Sequence, residues 1–423
     1  MDPEQKKIVA VASYIALSCA YSLKKKAKRE TRKRRWWMVS ILQSRERYSA
    51  TNMLSDLNKE PSGKFENFCR MSASDFEYLI NKIGPLITKK DTNMRKAIPA
   101  QERLAITLRF LASGDSFVSL SYLFKVSNQI ISSIVHEVCS ALVQILKDEI
   151  KMPTSPQEWS TISSEWEEKW NYPHCIGAMD GKHIITQCPI NSGSEYINYK
   201  GTFSVVLMAL VDANYNFLYA DIGCQGRISD GGVFRNTTLF KKIENNLLLL
   251  PADQPLPTKT LPMPYVIVAD DAFALSTNIM KPYPGPYAKG SVERVFNYRL
   301  SRARRVVENV FGIMASTFRM LRKPILLEPE KVTSIVMACV LLHNFLRKSR
   351  TSSLRYTPLR TIDSENEGEF IPGTWRNEID DRSSMIPLRN VARKSGLEAK
   401  KIRDEFADYF STTDKLPWQD KYC

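Results

Sequence analysis

The chain has 423 residues, and its 43% hydrophobic and 10% aromatic content is that of a folded protein with a sizeable core. It is too long for one ordinary core, so two or three domains are expected. A formal net charge of +15 predicts a polyanionic partner, either nucleic acid or an acidic membrane surface, and charge alone does not choose between them.

The cysteines and histidines exclude the common zinc motifs. Eight cysteines are scattered without a CxxC pair, and none has zinc-ligand spacing with the four histidines. We therefore predict reduced thiols in an intracellular compartment. The apolar stretch 8–23 is too short and too mixed to span a bilayer, and its positive charges follow it, which disfavours a signal peptide. No membrane partner is expected.

Residues 1–60 are predicted to form a basic N-terminal arm. In the run 24–35, nine of twelve residues are cationic. Such a run can serve as a nuclear-import signal or bind phosphates, here through Lys33, Arg34 and Arg35, because clustered cations release counterions from a polyanion. A solvated helix face or a linker is the common alternative for a charge run. The charge of the whole chain favours the functional interpretation.

Residues 61–150 are predicted to be all helical. Apolar residues recur at helical spacing in 74–83 and again in 100–112, which Pro99 precedes. A polar connector with three tryptophans follows over 151–170. Residues 61–150 are therefore expected to form a helical domain that precedes a second domain of different secondary structure.

The helical domain ends in a helix-turn-helix pattern. A short helix over 120–124 is followed by a turn and by a longer helix over 128–146, which Ser127 is placed to cap. Asn128 and Gln129 would face a DNA major groove from the start of the second helix. A helical hairpin that only packs is an equal alternative.

Residues 171–350 are predicted to form a mixed α/β domain. Four runs rich in Val, Ile, Leu, Phe and Tyr predict strands, and a helix over 232–250 is expected between the third and the fourth. The predicted strands span 175–186, 203–212, 217–223 and 265–270. Helices are expected over 292–321 and 329–349, so helices would cover the sheet. Residues 351–423 are predicted to be a loose polar tail with a terminal helix over 395–409.

Three acids stand in conspicuous positions. Asp180 follows an apolar run and precedes Gly181, so we expect it at a strand end where the backbone leaves room for an ion. Asp270 ends a second apolar run, typical of a strand buried on both faces. Glu308 lies among apolar residues on a predicted helix. Two strand ends and one helix can bring the three carboxylates together.

Carboxylates without a histidine or thiol cage suit the hard ions Mg²⁺ or Mn²⁺, which complete their shells with water and phosphate oxygens. Two such ions can activate a water or a 3′-hydroxyl and stabilise the leaving oxygen of a phosphoryl transfer. Each acid also has an ordinary explanation: Asp180 could close a turn, Asp270 could cap a helix, and Glu308 could pair with Arg304 or Arg305. Together, in a basic protein, they favour the metal site.

Four segments resemble, in this order, the PIF/Harbinger superfamily of DDE transposases. They are Asp180-Gly181-Lys182-His183-Ile184, residues 269–275, residues 296–312 and Leu342-His343-Asn344-Phe345. The resemblance covers roughly residues 70 to 350, and a weaker similarity lies at residues 417–419.

The resemblance implies an RNase H-like core, so the predicted fold class is α/β, a mixed sheet flanked by helices after an all-helical N-terminal domain. It implies a transposase or endonuclease that cleaves and joins DNA at transposon ends, with Asp180, Asp270 and Glu308 as the catalytic triad and as ligands of two Mg²⁺ or Mn²⁺ ions. Asp270 is preferred to Asp271, because the family's acid directly follows the apolar strand. Asp230 also lies in a stretch similar to the family's and is expected to be an acid behind the ligands or a structural acid. Asp271 is a further candidate for a place behind the ligands.

The resemblance gives further residues expected roles around the metal ligands. His183 and Lys182 would contact DNA phosphate, and His183 could also support the ligands from behind. A histidine beside a strand that is only packed or hydrogen-bonded is the common alternative. The cations of the Glu308 helix, Arg302, Arg304 and Arg305, are candidates for the DNA backbone, with pairing to acids of the fold as the alternative. His343, on an apolar helix, is expected in the core.

The family further implies double-stranded DNA as substrate and a separate Myb/SANT-like partner that supplies DNA-end recognition and aids nuclear import. A homodimer or larger assembly is expected on paired DNA ends, and the nucleus is the expected location. A domesticated, non-catalytic DNA- or chromatin-binding adaptor with the same fold is the alternative function.

Overall fold

The computed structural model describes residues 2–27, 40–45, 50–59, 62–93, 95–358, 360–366, 368–378 and 396–423. The chain divides into two compact units, Met1–Arg47 and Tyr48–Cys423. The first unit contains α1 (Pro3–Ala27) and α2 (Ser40–Gln43). The predicted DNA contacts Lys33, Arg34 and Arg35 lie outside the described residues.

The second unit begins with helices, as predicted. They are α3 (Ala50–Lys59), α4 (Lys64–Cys69), α5 (Ala73–Ile87), α6 (Ala100–Ser113), α7 (Phe117–Phe124), α8 (Asn128–Leu146) and, after a 3₁₀ turn at Lys147–Glu149, α9 (Pro156–Trp170). The apolar face of α5 is buried at helical spacing through Phe76, Leu79, Ile83 and Ile87. All eight cysteines, which lie within the described residues, are free, as predicted.

The predicted helix-turn-helix is present as α7 and α8. The turn passes through Lys125, whose φ of 55° is left-handed. Ser127 precedes α8 as predicted, but its hydroxyl makes no capping bond. The backbone N–H of Gln129 instead donates to Oδ1 of Asn128 at 3.0 Å. Both Asn128 and Gln129 are exposed at the start of α8.

The main sheet has five strands in the order β3-β2-β1-β6-β7. These strands are β1 (Cys175–Ile185), β2 (Ser204–Val211), β3 (Phe217–Gln225), β6 (Val266–Val268) and β7 (Ile279–Met280), and β4 (Gln254–Pro255) pairs separately with β5 (Pro262–Met263). β1 is antiparallel to β2 and parallel to β6. Every residue of β2 is buried, as expected for a central strand covered on both faces. This arrangement confirms the predicted RNase H-like fold class.

Helices cover the sheet. They are α10 (Asp230–Arg235), α11 (Thr238–Glu244), α12 (Val292–Thr317), followed by a 3₁₀ turn at Arg319–Arg322, and α13 (Pro329–Lys348). The single helix predicted over 232–250 is wrong. The Thr237 hydroxyl accepts from the Phe240 N–H at 3.1 Å and starts a new helix, and the positive φ angles of Asn246 and Leu249 prevent its continuation.

One core joins the helical region to the sheet, because α13 packs against α8 and against β3. Asn344 of α13 binds both backbone groups of Phe217, and its Nδ2 also donates to the Glu149 carbonyl at 2.9 Å. His343 is fully buried and lies 2.8 Å from both the Tyr356 hydroxyl and the Tyr215 carbonyl. Its predicted core position is confirmed, and burial lowers its pKa to about 3.

The described residues beyond 350 confirm the predicted terminal helix over 395–409, but between 351 and 378 they are ordered and not loose. These residues form α14 (Ser353–Tyr356), β8 (Ser364–Asn366) paired with β9 (Glu369–Ile371), α15 (Thr374–Glu378), α16 (Leu397–Thr412) and α17 (Gln419–Tyr422). The helix α16 packs along α12, where buried Arg299 of α12 pairs with Asp414 and stacks on Phe410. Apolar contacts and a buried cation therefore order a segment whose composition is polar.

Candidate active site

Asp180 and Asp270 are brought together by the parallel pairing of β1 with β6. Ala178 is the register partner of Val268, so each acid lies two residues beyond a paired position on neighbouring strands. Asp270 follows the end of β6, as predicted, and is 3% exposed. Asp180 lies within β1 rather than at its end, because pairing with β2 continues as far as Ile185.

Asp230 is a third acid at this place. It begins α10, and its carboxylate lies so close to Gly181 that a methyl group built on that glycine would overlap it. Its Oδ1 is buried and has no hydrogen-bond partner. The sequence placed Asp230 behind the metal ligands, whereas the fold puts it directly beside the backbone of the first acid.

Burial and mutual repulsion make these carboxylates hard to ionise. Burial raises the pKa of Asp180 to about 8, with further increases from Asp270 and Asp230. The pKa of Asp230 is raised to about 7 by burial and by Asp270. Burial also raises the pKa of Asp270, and Arg304 opposes the increase at both Asp180 and Asp270. Carboxyl groups crowded and buried in this way ionise more readily when a cation is bound beside them, so the arrangement favours a bound cation.

Glu308 lies on α12, one turn beyond Arg304. Its Oε1 is 3.9 Å from Nη2 of Arg304 and its Oε2 is 3.3 Å from Nη2 of Arg376, with 39% of the side chain exposed. Among the described residues, no three His, Cys, Asp or Glu side chains are already grouped to hold a metal ion. Arg304 is thus the cation next to all three predicted acids, and Glu308 is engaged by arginines on both oxygens.

The other residues predicted near the ligands make contacts within the fold. Asp271 is half exposed and pairs with Lys281 at 2.8 Å. The Nδ1 of His183 lies 2.9 Å from the Ser204 hydroxyl, and burial, with two nearby lysines, lowers the pKa of His183 to about 4. The ammonium of Lys182 lies 5.6 Å from the centre of the Phe311 ring. His183 is therefore a neutral, hydrogen-bonded residue three positions beyond Asp180.

The predicted DNA contacts on α12 have acidic partners, which is the alternative that the sequence left open. Arg302 and Arg305 pair with Glu365 at 3.0 and 3.2 Å, and Arg302 is 5% exposed. Sequence reasoning did not find Glu365 or Arg376. Both belong to the predicted tail, and no local pattern marks them as neighbours of α12.

Comparison with known proteins relates this part of the chain to one family. Residues 179–344, which include Asp180, Asp270 and Glu308, match the family model described as DDE superfamily endonuclease. Over these residues the chain matches a DDE endonuclease domain of the Harbinger type. The predicted family resemblance is confirmed by this match.

Three relatives illustrate the similarity. The chain is 27% identical over 290 residues to Antagonist of Like Heterochromatin Protein 1 of Arabidopsis thaliana, covering 67% of this chain and 72% of that protein. It is 26% identical over 303 residues to Protein ALP1-like of the same plant, covering 70% and 73%. It is 23% identical over 270 residues to the human protein named Putative nuclease HARBI1, covering 63% and 72%. No solved structure matches the chain.

DDE endonucleases use divalent metal ions in general, and the acids here are suitable donors. Mg²⁺ is usually bound by one or two carboxylates together with water and substrate phosphate oxygens, so Asp180 and Asp270 suffice as the core of a site. Oδ1 of Asp230 lies beside them, is buried and has no hydrogen-bond partner, which also favours a cation at this place. These acids would hold the ion.

Proposed function

We propose that this protein is a metal-dependent DNA endonuclease that cleaves and joins DNA strands at transposon ends. The observation that carries the proposal is the convergence of Asp180 and Asp270 on neighbouring parallel strands, within a DDE endonuclease domain. The acids at this place in the sheet have little compensating positive charge. They are therefore suited to bind Mg²⁺ or Mn²⁺ together with a DNA phosphate.

Each residue then has a distinct task. When bound, a pair of divalent ions would activate the attacking hydroxyl and stabilise the leaving oxygen. Asp180, Asp270 and Glu308 would bind these ions and orient them. No covalent intermediate on the protein is needed. Arg304 partly neutralises the acids before DNA arrives. His183, neutral because burial lowers its pKa to about 4, stays a hydrogen-bonding group rather than a cation at neutral pH.

Double-stranded DNA is the proposed substrate, and several features support it. The net charge of +15 favours a polyanion, and exposed Asn128 and Gln129 begin the second helix of a helix-turn-helix. A Myb/SANT-like partner, assembly as a dimer on paired ends and location in the nucleus remain part of the proposal, as properties of the family that the sequence resembles.

The test uses supercoiled plasmid DNA, which requires no knowledge of the transposon ends, with the full chain and Mn²⁺. Wild-type protein should nick the plasmid, and Asp180→Asn or Asp270→Asn should lower the rate more than about 100-fold, since even residues behind metal ligands are worth 10- to 100-fold. Asp221→Asn is the matched control, because Asp221 is an exposed acid on β3 of the same sheet. Equal nicking by wild type and Asp180→Asn would reject the proposed site.

A second candidate is a non-catalytic chromatin-associated protein. It is favoured by the name of the Arabidopsis relative and by the pairing of Glu308 with Arg304 and Arg376. This candidate predicts that Mn²⁺ changes neither the melting temperature of the protein nor any DNA product. Metal-dependent nicking by the wild type that Asp180→Asn abolishes would exclude it.

A further inference from the structure

We propose that Arg376, which lies beyond the matched endonuclease domain, is a positioning residue for Glu308. It belongs to the described residues 360–366 and 368–378, here called the C-terminal strap. The inference rests on the proposed metal-dependent function, because it assigns Glu308 to the metal. Its core is that Arg376 holds one oxygen of Glu308 and leaves the other directed towards the remaining acids.

Arg376 is itself firmly held. Its Nε donates to Oδ1 of Asp363 at 2.9 Å and its Nη2 donates to Oδ2 at 2.7 Å, a two-point contact between guanidinium and carboxylate. The Asp363 side chain is fully buried, and its Oδ1 also accepts from the Gly373 N–H at 2.7 Å. Because the anchor is buried and doubly bonded, the guanidinium has a fixed place from which to reach Glu308.

The strap is attached to α12 beside Glu308. Oδ1 of Asn309 accepts from the Asp363 N–H at 3.1 Å and from the Trp375 Nε1–H at 2.7 Å. One turn further, Gly312 has no side chain, and the Trp375 ring occupies the space that a methyl group would fill. Two contacts on consecutive turns thus fix the strap, and with it Arg376, relative to the residue before Asn309.

The two oxygens of Glu308 face different arginines. Nη2 of Arg376 is 3.3 Å from Oε2, and Nη2 of Arg304 is 3.9 Å from Oε1. Arg304 is also the cation that acts on Asp180 and Asp270. Oε1 therefore lies beside the cation whose charge also acts on the strand acids, and a carboxylate held by one oxygen can bind a metal with the other. Residues that hydrogen-bond to metal ligands commonly contribute about 10- to 100-fold to metal affinity. We expect the same range for Arg376.

The same strap offers a matched control. Glu365 pairs with Arg302 and Arg305, and its Oε1 accepts from the Tyr298 hydroxyl at 3.2 Å. It attaches the strap to α12 without a contact to Glu308. Loss of the Glu365 charge should therefore loosen the strap, while Arg376 continues to orient Glu308.

The experiment measures Mn²⁺ affinity of the DNA-free full chain by electron paramagnetic resonance, together with the melting temperature. Four variants are compared with wild type: Arg376→Gln, Glu308→Gln, the double variant and Glu365→Gln. We expect Arg376→Gln to weaken Mn²⁺ binding about 10- to 100-fold. The double variant should bind no more weakly than Glu308→Gln, because residues that act through one another are not additive. Glu365→Gln should melt earlier and bind Mn²⁺ as wild type does.

The outcomes separate this inference from the proposed function. Tighter Mn²⁺ binding by Arg376→Gln would make Arg376 a competitor of the ion and overturn the inference. Equal weakening of Mn²⁺ binding by Arg376→Gln and Glu365→Gln would show that the strap only supports α12 in general. Unchanged Mn²⁺ binding in Glu308→Gln would remove the basis of the inference. Each of these leaves a metal site at Asp180 and Asp270 standing. No Mn²⁺ binding by the wild type would overturn both.

Discussion

The carboxylate of Asp230 lies directly against Gly181, the residue that follows Asp180 in β1. A strand residue with any side chain on that face would push α10 away from the sheet. The glycine therefore lets a second acid approach the first, at a place where burial first, and the charge of Asp270 after it, raises the pKa of both. Backbone shape, more than spacing of acids in the sequence, determines which carboxylates meet.

Gly181→Ala tests this close approach. The added methyl group must displace Asp230, so we expect Mn²⁺ affinity and plasmid nicking to fall at least about 10-fold and unfolding to become easier by about 1–3 kcal/mol. Urea unfolding and the nicking assay measure the two effects. Gly396→Ala is the control, since a methyl group there meets nothing within 4 Å. It should change stability by less than about 0.5 kcal/mol. Full nicking activity in Gly181→Ala would show that activity does not depend on the position of Asp230.

Asp180→Asn should remove a pH dependence of stability. The pKa of Asp180 is about 8 in the folded protein, mainly through burial, and about 3.9 in an unfolded chain. Between these values the folded state keeps a proton that the unfolded state has released, so stability falls as pH rises through this window, by up to about 1.4 kcal/mol per pH unit. Urea unfolding in EDTA at about pH 5 and about pH 8 should show a smaller fall in the variant than in wild type. Parallel falls would contradict the assignment.

His343 should act on stability and not on catalysis. Burial lowers its pKa to about 3, whereas an unfolded histidine titrates near about 6.5, so the unfolded state gains a proton first and stability falls as pH drops from about 6.5 towards 3. His343→Phe leaves the Tyr356 hydroxyl and the Tyr215 carbonyl without a partner, at a cost of about 1–3 kcal/mol. Urea unfolding should record this loss with normal Mn²⁺ affinity. Lost Mn²⁺ binding at unchanged stability would instead place His343 in the site.

The sequence predicted the sheet well because its signal is local. The strands around Asp180 and Asp270 are apolar runs that are buried on both faces, and such runs are visible without tertiary information. The strand over 175–186 was predicted with nearly the right bounds, but the expectation that Asp180 lies at its end was wrong, because pairing with β2 continues through polar Lys182 and His183. The break between α10 and α11 was missed because it depends on one capping hydroxyl, that of Thr237.

The surroundings of Glu308 could not be predicted, because they depend on contacts far apart in the chain. The fit of Trp375 onto Gly312, and the contacts of Arg376 with Asp363 and Glu308, join a polar segment to a helix that is distant in the sequence. Hydrophobic periodicity carries no information about such pairs. Arg304 was named from the sequence as a possible partner of Glu308, whereas Arg376 required the fold.

The packing of the C-terminal elements on α12 also determines which fragment of this protein can be produced for study. A fragment cut at the ends of the matched domain, residues 179–344, would lose α9 with its buried Trp159 and Trp166, and would lose α16 from the face of α12. Arg299, which is buried beside Asp414 and Phe410, would face water in such a fragment. The smallest expression product that keeps this core should therefore include α8, which packs against α13, together with α9 and α16.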